Sequence, residues 1–215
     1  MTLREGVVQF NLTFLPADPL PEAMLRSLNA WRQILHRIGL IGQEPHRYGG
    51  LGFGNVSIRL ESGNPDSFII SGTQTGSMDR LFPEHYALVK TFDPATNSVV
   101  AEGVVRPSSE SLTHGSLYRV SSAIGAVIHA HSPEIWAQAE SIGIPVTHRD
   151  VRYGTPAMAD EVCRLFQNTP VNILKIFAMG GHEDGIVSFG SSIEEAGLTI
   201  VRYLALATAK GVDTQ

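Results

Sequence analysis

The chain has 215 residues, 43% hydrophobic and 17% charged, a globular composition with neither the charge density of a disordered segment nor the apolar run of a membrane span. A net charge of -5 and a pI near 5.9 exclude a strongly basic surface, and with it sequence-independent binding of nucleic acid. Its one cysteine, Cys163, excludes an intrachain disulfide, and residues 1–5 lack the basic-then-apolar order of a secretory signal. The expectation is a single domain over 1–215, cytoplasmic, with a small-molecule partner and neither a nucleic-acid nor a membrane partner.

Val8, Phe10, Leu12 and Phe14 alternate with Gln9, Asn11 and Thr13, which predicts an extra N-terminal strand at 7–15. Pro16, Pro19 and Pro21 stop it, and Met24, Leu28, Trp31, Leu35 and Ile38 then recur at helical spacing until Gly39 and Gly42. Short strands follow at 55–60, 68–71, 87–91 and 99–102, the last two joined by a turn at 93–97. Pro107 and Ser108 open a helix that runs to about Val120. A compact apolar strand at 126–129 comes next, and Ser132 and Pro133 read as the N-cap and first-turn proline of another helix.

A helix at 156–166 carries Cys163 on an apolar pattern, as a core residue without a chemical role. Strands are predicted at 173–179 and 185–189. The capping pair Ser192 and Glu195 starts a final helix whose stripe is read as Leu198, Val201, Leu204 and Leu206. These elements make an α/β fold with a central, mostly antiparallel sheet flanked by helices.

Side chains two apart on a strand share a face, so His129 and His131 can chelate one ion. By itself the pair fits two backbone-bonded imidazoles equally well. His182, in a glycine-rich turn, is the candidate third ligand, with the neighbouring carboxylates Glu183 and Asp184 as alternatives. Three imidazoles leave a coordination position open for water or substrate. His36, His46, His85, His114 and His148 show no such arrangement.

Three loops combine glycine with hydroxyls: 50–57, 71–76, and Ser108 with Ser109 at a helix start. Their amides suit an anion, and equally they suit plain turns and caps. Glu110 reads either as a general base or as a first-turn glutamate that complements the helix dipole.

In this order, Gly54-Asn-Val-Ser, the 71–76 loop, Pro107-Ser-Ser-Glu, His129-Ala-His and the His182 turn resemble the class II aldolase and adducin head family, fuculose-phosphate aldolase-like, over most of the chain. The resemblance implies a three-layer domain and metal ligation by His129, His131 and a third histidine, assigned to His182. It implies Glu110 as the acid-base residue, and Tyr153 in a region that contributes to a neighbouring catalytic site. Gly54, Asn55, Ser71, Gly72, Thr75, Gly76, Ser108 and Ser109 would surround a substrate phosphate.

The implied cofactor is a divalent cation, zinc first, with manganese or iron as alternatives. The implied assembly is a homotetramer with sites between subunits. The activity expected is a lyase cleaving a small ketose phosphate or related hydroxyketone, since the enediolate left by carbon-carbon cleavage is stabilised by a Lewis acid. Epimerase, dehydratase and decarboxylase chemistry on the same site, and a non-catalytic adducin-like module, are the alternatives. Two departures stand out. His182 is separated from Gly185 by Glu183 and Asp184 where the family runs His-Gly, and the 71–76 loop is longer than usual, leaving open whether Thr73 or Thr75 meets an anion.

Overall fold

The computed structural model describes residues 7–60 and 64–212; the reading of residues 1–5 lies outside them. One eight-stranded sheet organises the chain. Its strands are β1 (Asn11–Pro16), β4 (Asn55–Arg59), β5 (Phe68–Ser71), β6 (Tyr86–Asp93), β7 (Ser98–Gly103), β8 (Ala126–His131), β9 (Ile176–Ala178) and β10 (Gly185–Gly190). The order is β1-β7-β6-β5-β4-β8-β10-β9. Every neighbouring pair is antiparallel except β1 with β7, so the expected mostly antiparallel sheet is present. A two-stranded ribbon, β2 (Gly42–Gln43) with β3 (Gly52–Phe53), stands beside it.

Helices cover both faces because strand residues alternate between two apolar layers. Val56, Ile128, Ala130 and Ile186 join the core under α1 (Glu22–Arg37), α3 (Pro133–Gln138) and α6 (Ile193–Val212). Phe68, Val127, Val187 and Phe189 join the opposite core, under α2 (Ser111–Val120) and α4 (Pro156–Asn168). Of the described helices, none is long and apolar enough to cross a membrane.

Several elements depart from the sequence expectation for identifiable reasons. The N-terminal strand begins at Asn11, where pairing with β7 begins at Ser98. In α1 the buried stripe is Leu25, Leu28, Arg32 and Leu35, while Met24 and Ile38 are each 43% exposed. Pro107 bridges Gly72, and Ser108 N–H donates to the Ser71 carbonyl, so the chain is held extended there and α2 starts only at Ser111.

The expected strand at 173–179 is one helical turn, α5 (Val171–Leu174), then Lys175 in a left-handed conformation, and only then β9. Helix α6 turns Ile193, Ala196, Ile200, Tyr203 and Ala207 inward and leaves Leu198 and Leu206 exposed. Its start is as read: Ser192 Oγ accepts from Glu195 N–H, and the Glu195 carboxylate accepts from Ser191 N–H. Cys163 is exposed, not packed, because Met158, Val162 and Leu165 supply the inward face of α4.

Candidate metal centre

His129 and His131 lie on β8, on the face turned toward α2 and α4. Antiparallel β10 sets Val187 opposite His129 and Gly185 opposite His131. The connection from β9 to β10 is a tight turn, in which Gly185 N–H donates to the His182 carbonyl and His182 N–H to the Met179 carbonyl. That turn lands His182 on His131, with their Nε2 atoms 3.1 Å apart. One ligand atom from each of the three imidazoles falls within 4.8 Å of the others, and all three residues are buried.

Gly185 is required at its position by contact: a Cβ there would come within 2.5 Å of His182 Cδ2. Among the described residues the convergent set is His129, His131 and His182, while the Asp184 carboxylate accepts from the Tyr48 hydroxyl at 2.6 Å.

Burial holds the imidazoles neutral, their lone pairs available. It pushes His129 down to about 4 and holds His131 and His182 well below the ordinary histidine range. His129 Nε2 is buried without a hydrogen-bond partner among the described residues. Such an orphan in the middle of two converging imidazoles fits a divalent cation, which supplies the missing partner. The carboxylate of Glu110, 1% exposed at the start of α2, sits with Oε1 3.9 Å from His129 Nε2 and 4.0 Å from His182 Nε2. The carboxylate and the three imidazoles therefore form one buried cluster.

The three glycine-hydroxyl loops meet one another beside this cluster. Asn55 pairs with His129 across β4 and β8, and its Oδ1 is buried without a hydrogen-bond partner among the described residues. Ser108 Oγ accepts from Glu110 N–H, and Ser108 N–H donates to the Ser71 carbonyl, joining two loops to the acid. Gly76 packs against β3, just before Gly54, where a Cβ would lie 2.5 Å from Phe53 N.

Gly72, Ser109 and Thr75 are buried in the same junction. The hydroxyls differ in what they offer. Thr75 Oγ1 donates to the Gly72 carbonyl, whereas Ser71 and Ser108 accept from backbone N–H groups and, among the described residues, donate to none. Arg32 clamps the loop from behind, donating from Nη2 to the Thr75 and Gly76 carbonyls. Tyr153 sets its ring 4.7 Å from that of its own chain's His182, the planes inclined at 55°, and its hydroxyl donates to the Val7 carbonyl.

Two neighbours of the centre were missed in the sequence. His114 is fully buried one helical turn beyond Glu110, with Nδ1 2.7 Å from Ser57 Oγ, and Ser57 Oγ also meets the Tyr118 hydroxyl. The spacing of four from Glu110 on a helix was the available signal. Tyr48 stands edge-on to His131 with ring centroids 4.5 Å apart, and no local pattern marks it.

Residues 45–208 match the family described as Class II Aldolase and Adducin N-terminal domain. Among solved structures, L-fuculose-1-phosphate aldolase from Thermus thermophilus is 18% identical, with 90% of this chain and 95% of that chain covered at a TM-score of 0.65. YgbL from Escherichia coli, described as a putative aldolase/epimerase/decarboxylase, is also 18% identical, with 89% of each chain covered at a TM-score of 0.65. The N-terminal class II aldolase domain of a Thermoplasma acidophilum protein is 13% identical, with 90% and 96% covered at 0.59. At these identities the likeness is one of fold.

Proposed function

Because the chain belongs to the class II aldolase and adducin N-terminal domain family, we propose that it is a divalent-metal-dependent lyase cleaving a small ketose phosphate or a related hydroxyketone. The observation that carries this reading is the buried triad His129, His131 and His182 with the Glu110 carboxylate at 3.9–4.0 Å from two of its rings. Zinc is the cation proposed, with manganese and iron as the alternatives that an imidazole set also suits. When bound, the cation supplies Lewis acidity toward the substrate oxygens as negative charge develops beside the carbonyl.

Glu110 takes the proton from the hydroxyl whose carbon becomes the aldehyde and returns it to the carbon left behind. Asn55 and the loops at Gly54, Ser71, Gly72, Thr75, Gly76, Ser108 and Ser109 hold the anionic end of the substrate, with backbone N–H groups and the free hydroxyl protons of Ser71 and Ser108 as donors. Tyr153 acts beside the acid by limiting the rotation of His182, against which its ring packs at an inclination of 55°. The family resemblance extends the proposal to a cytoplasmic homotetramer with sites at subunit boundaries.

Substitution Glu110→Gln tests the central role. Cleavage of the true substrate should fall about 100-fold or more while metal content stays at the parent level; full activity would refute it. The likeness to a putative aldolase/epimerase/decarboxylase favours a second reading, epimerisation or decarboxylation at the same centre. A panel of sugar phosphates and β-keto acids, scored for aldehyde, epimer and carbon dioxide, separates the two. A chain that binds no metal would instead favour a non-catalytic, adducin-like module.

A further inference from the structure

Two residues that neither the triad nor the anion loops use share a rare backbone conformation at the edge of the metal centre. Tyr48 has φ 52° and Asp184 φ 60°. Such left-handed values are uncommon for side chains other than Asn and Asp, and they persist only where surrounding bonds hold them, often at functional sites. The two residues are bonded to each other: the Tyr48 hydroxyl donates to Asp184 Oδ2 at 2.6 Å, and Arg47 Nη1 lies 3.9 Å from the same oxygen.

Asp184 is a junction. Its carbonyl accepts from Ser132 N–H at 2.9 Å, immediately after the ligand His131. Two residues before it is His182, and directly after it is Gly185, against which the His182 ring packs. Tyr48 reaches the other ligand with its ring, edge-on to His131, while Phe53 flanks the same imidazole at a centroid distance of 5.2 Å. The strand end bearing His131, the turn bearing His182 and the segment bearing Tyr48 therefore meet at one hydrogen bond.

We propose that the Tyr48–Asp184 hydrogen bond is a strap that positions His131 and His182 for the cation, making Tyr48 a positioning residue of the metal centre. The inference rests on the metal-centre reading above. It assigns a purpose to the Glu183–Asp184 insertion between His182 and Gly185: the added carboxylate is the anchor that a direct His-Gly turn lacks. Burial, then the bond to Asp184, holds the Tyr48 phenol well above its ordinary range, so it remains a donor. Partners that orient ligands from behind commonly govern metal affinity, their loss costing about 10–100-fold.

The test is titration of the metal-free full chain with cobalt(II) alone, followed by visible absorption, in the parent, Tyr48→Phe, Asp184→Gly and the double variant. Tyr48→Phe removes only the hydroxyl. Asp184→Gly removes the carboxylate at a backbone conformation that glycine adopts freely, so the turn still closes. Each single variant should raise the cobalt dissociation constant about tenfold and alter the absorption band as the ligand geometry loosens. The double variant should be no weaker than the singles, since both break the same bond.

Melting of the metal-free forms is followed in parallel. Variants that melt lower yet bind cobalt as the parent does would show a loop fastener and overturn the strap, as would losses that simply add. A parent that binds no cobalt would overturn the metal centre and the strap together.

Discussion

Mild acid should unfold the metal-free protein through its buried histidines. His129 is fully buried, and burial lowers it from 6.5 to about 4. A histidine depressed in the folded state takes up a proton more readily when unfolded, so its contribution is intact above about pH 6.5 and is lost as pH falls toward 4. Between about pH 7 and about pH 5 this one ring costs about 2 kcal/mol, and about 3 kcal/mol once the folded form also protonates. His114, His131 and His182 are lowered in the same direction by burial and add to the loss.

Carboxylates act lower on the scale. Glu195, bonded to Lys175, is held at about 2, and Glu161, bonded to Arg164, is also lowered, so their stabilisation fades only below 4.5. The interval from 6.5 to 4.5 therefore isolates the histidines. Urea denaturation with a chelator present, repeated across that interval, should show a fall of at least about 2 kcal/mol, and His129→Gln should flatten the slope. A metal-free protein equally stable at both ends of the interval would refute the account of neutral, burial-held imidazoles.

Three further outcomes are expected. Gly185→Ala places a methyl within 2.5 Å of His182 Cδ2, so the ring must turn away; cobalt affinity should fall about tenfold or more, measured by the same titration. Gly76→Ala meets backbone, at 2.5 Å from Phe53 N and 2.7 Å from the Gly42 carbonyl, and should cost about 1–3 kcal/mol in urea denaturation. Cys163, exposed on α4, should react with a water-soluble thiol reagent in the native protein without denaturant; protection until unfolding would contradict its placement.

Much of the site was legible because its signals are local. Period-two spacing placed His129 and His131 on one face of a strand, and the N-cap signature of Ser132 and Pro133 marked where that strand ends, as the bond from Ile135 N–H to Ser132 Oγ shows. The strand bounds at Phe68–Ser71 were read directly, since an apolar run between turn residues leaves little choice. Helix faces were read less well. In α1 and α6 apolar residues occur all around the helix, so periodicity alone does not say which stripe is inward, and Arg32 took a core position that no hydropathy pattern assigns to a charge.

What the amino-acid order determined by itself is therefore most of the strands and helices, the donor types and the family: all are encoded within a few residues of one another or in motif order. What only the tertiary structure decided is which groups meet. His182 joins His131 across 51 residues, Glu110 comes within 4.0 Å of both His129 and His182, and Tyr48 finds Asp184 across 136 residues. Those encounters depend on sheet order and on the turn from β9 to β10, where backbone pairing, not side-chain pattern, sets the distance between ligands.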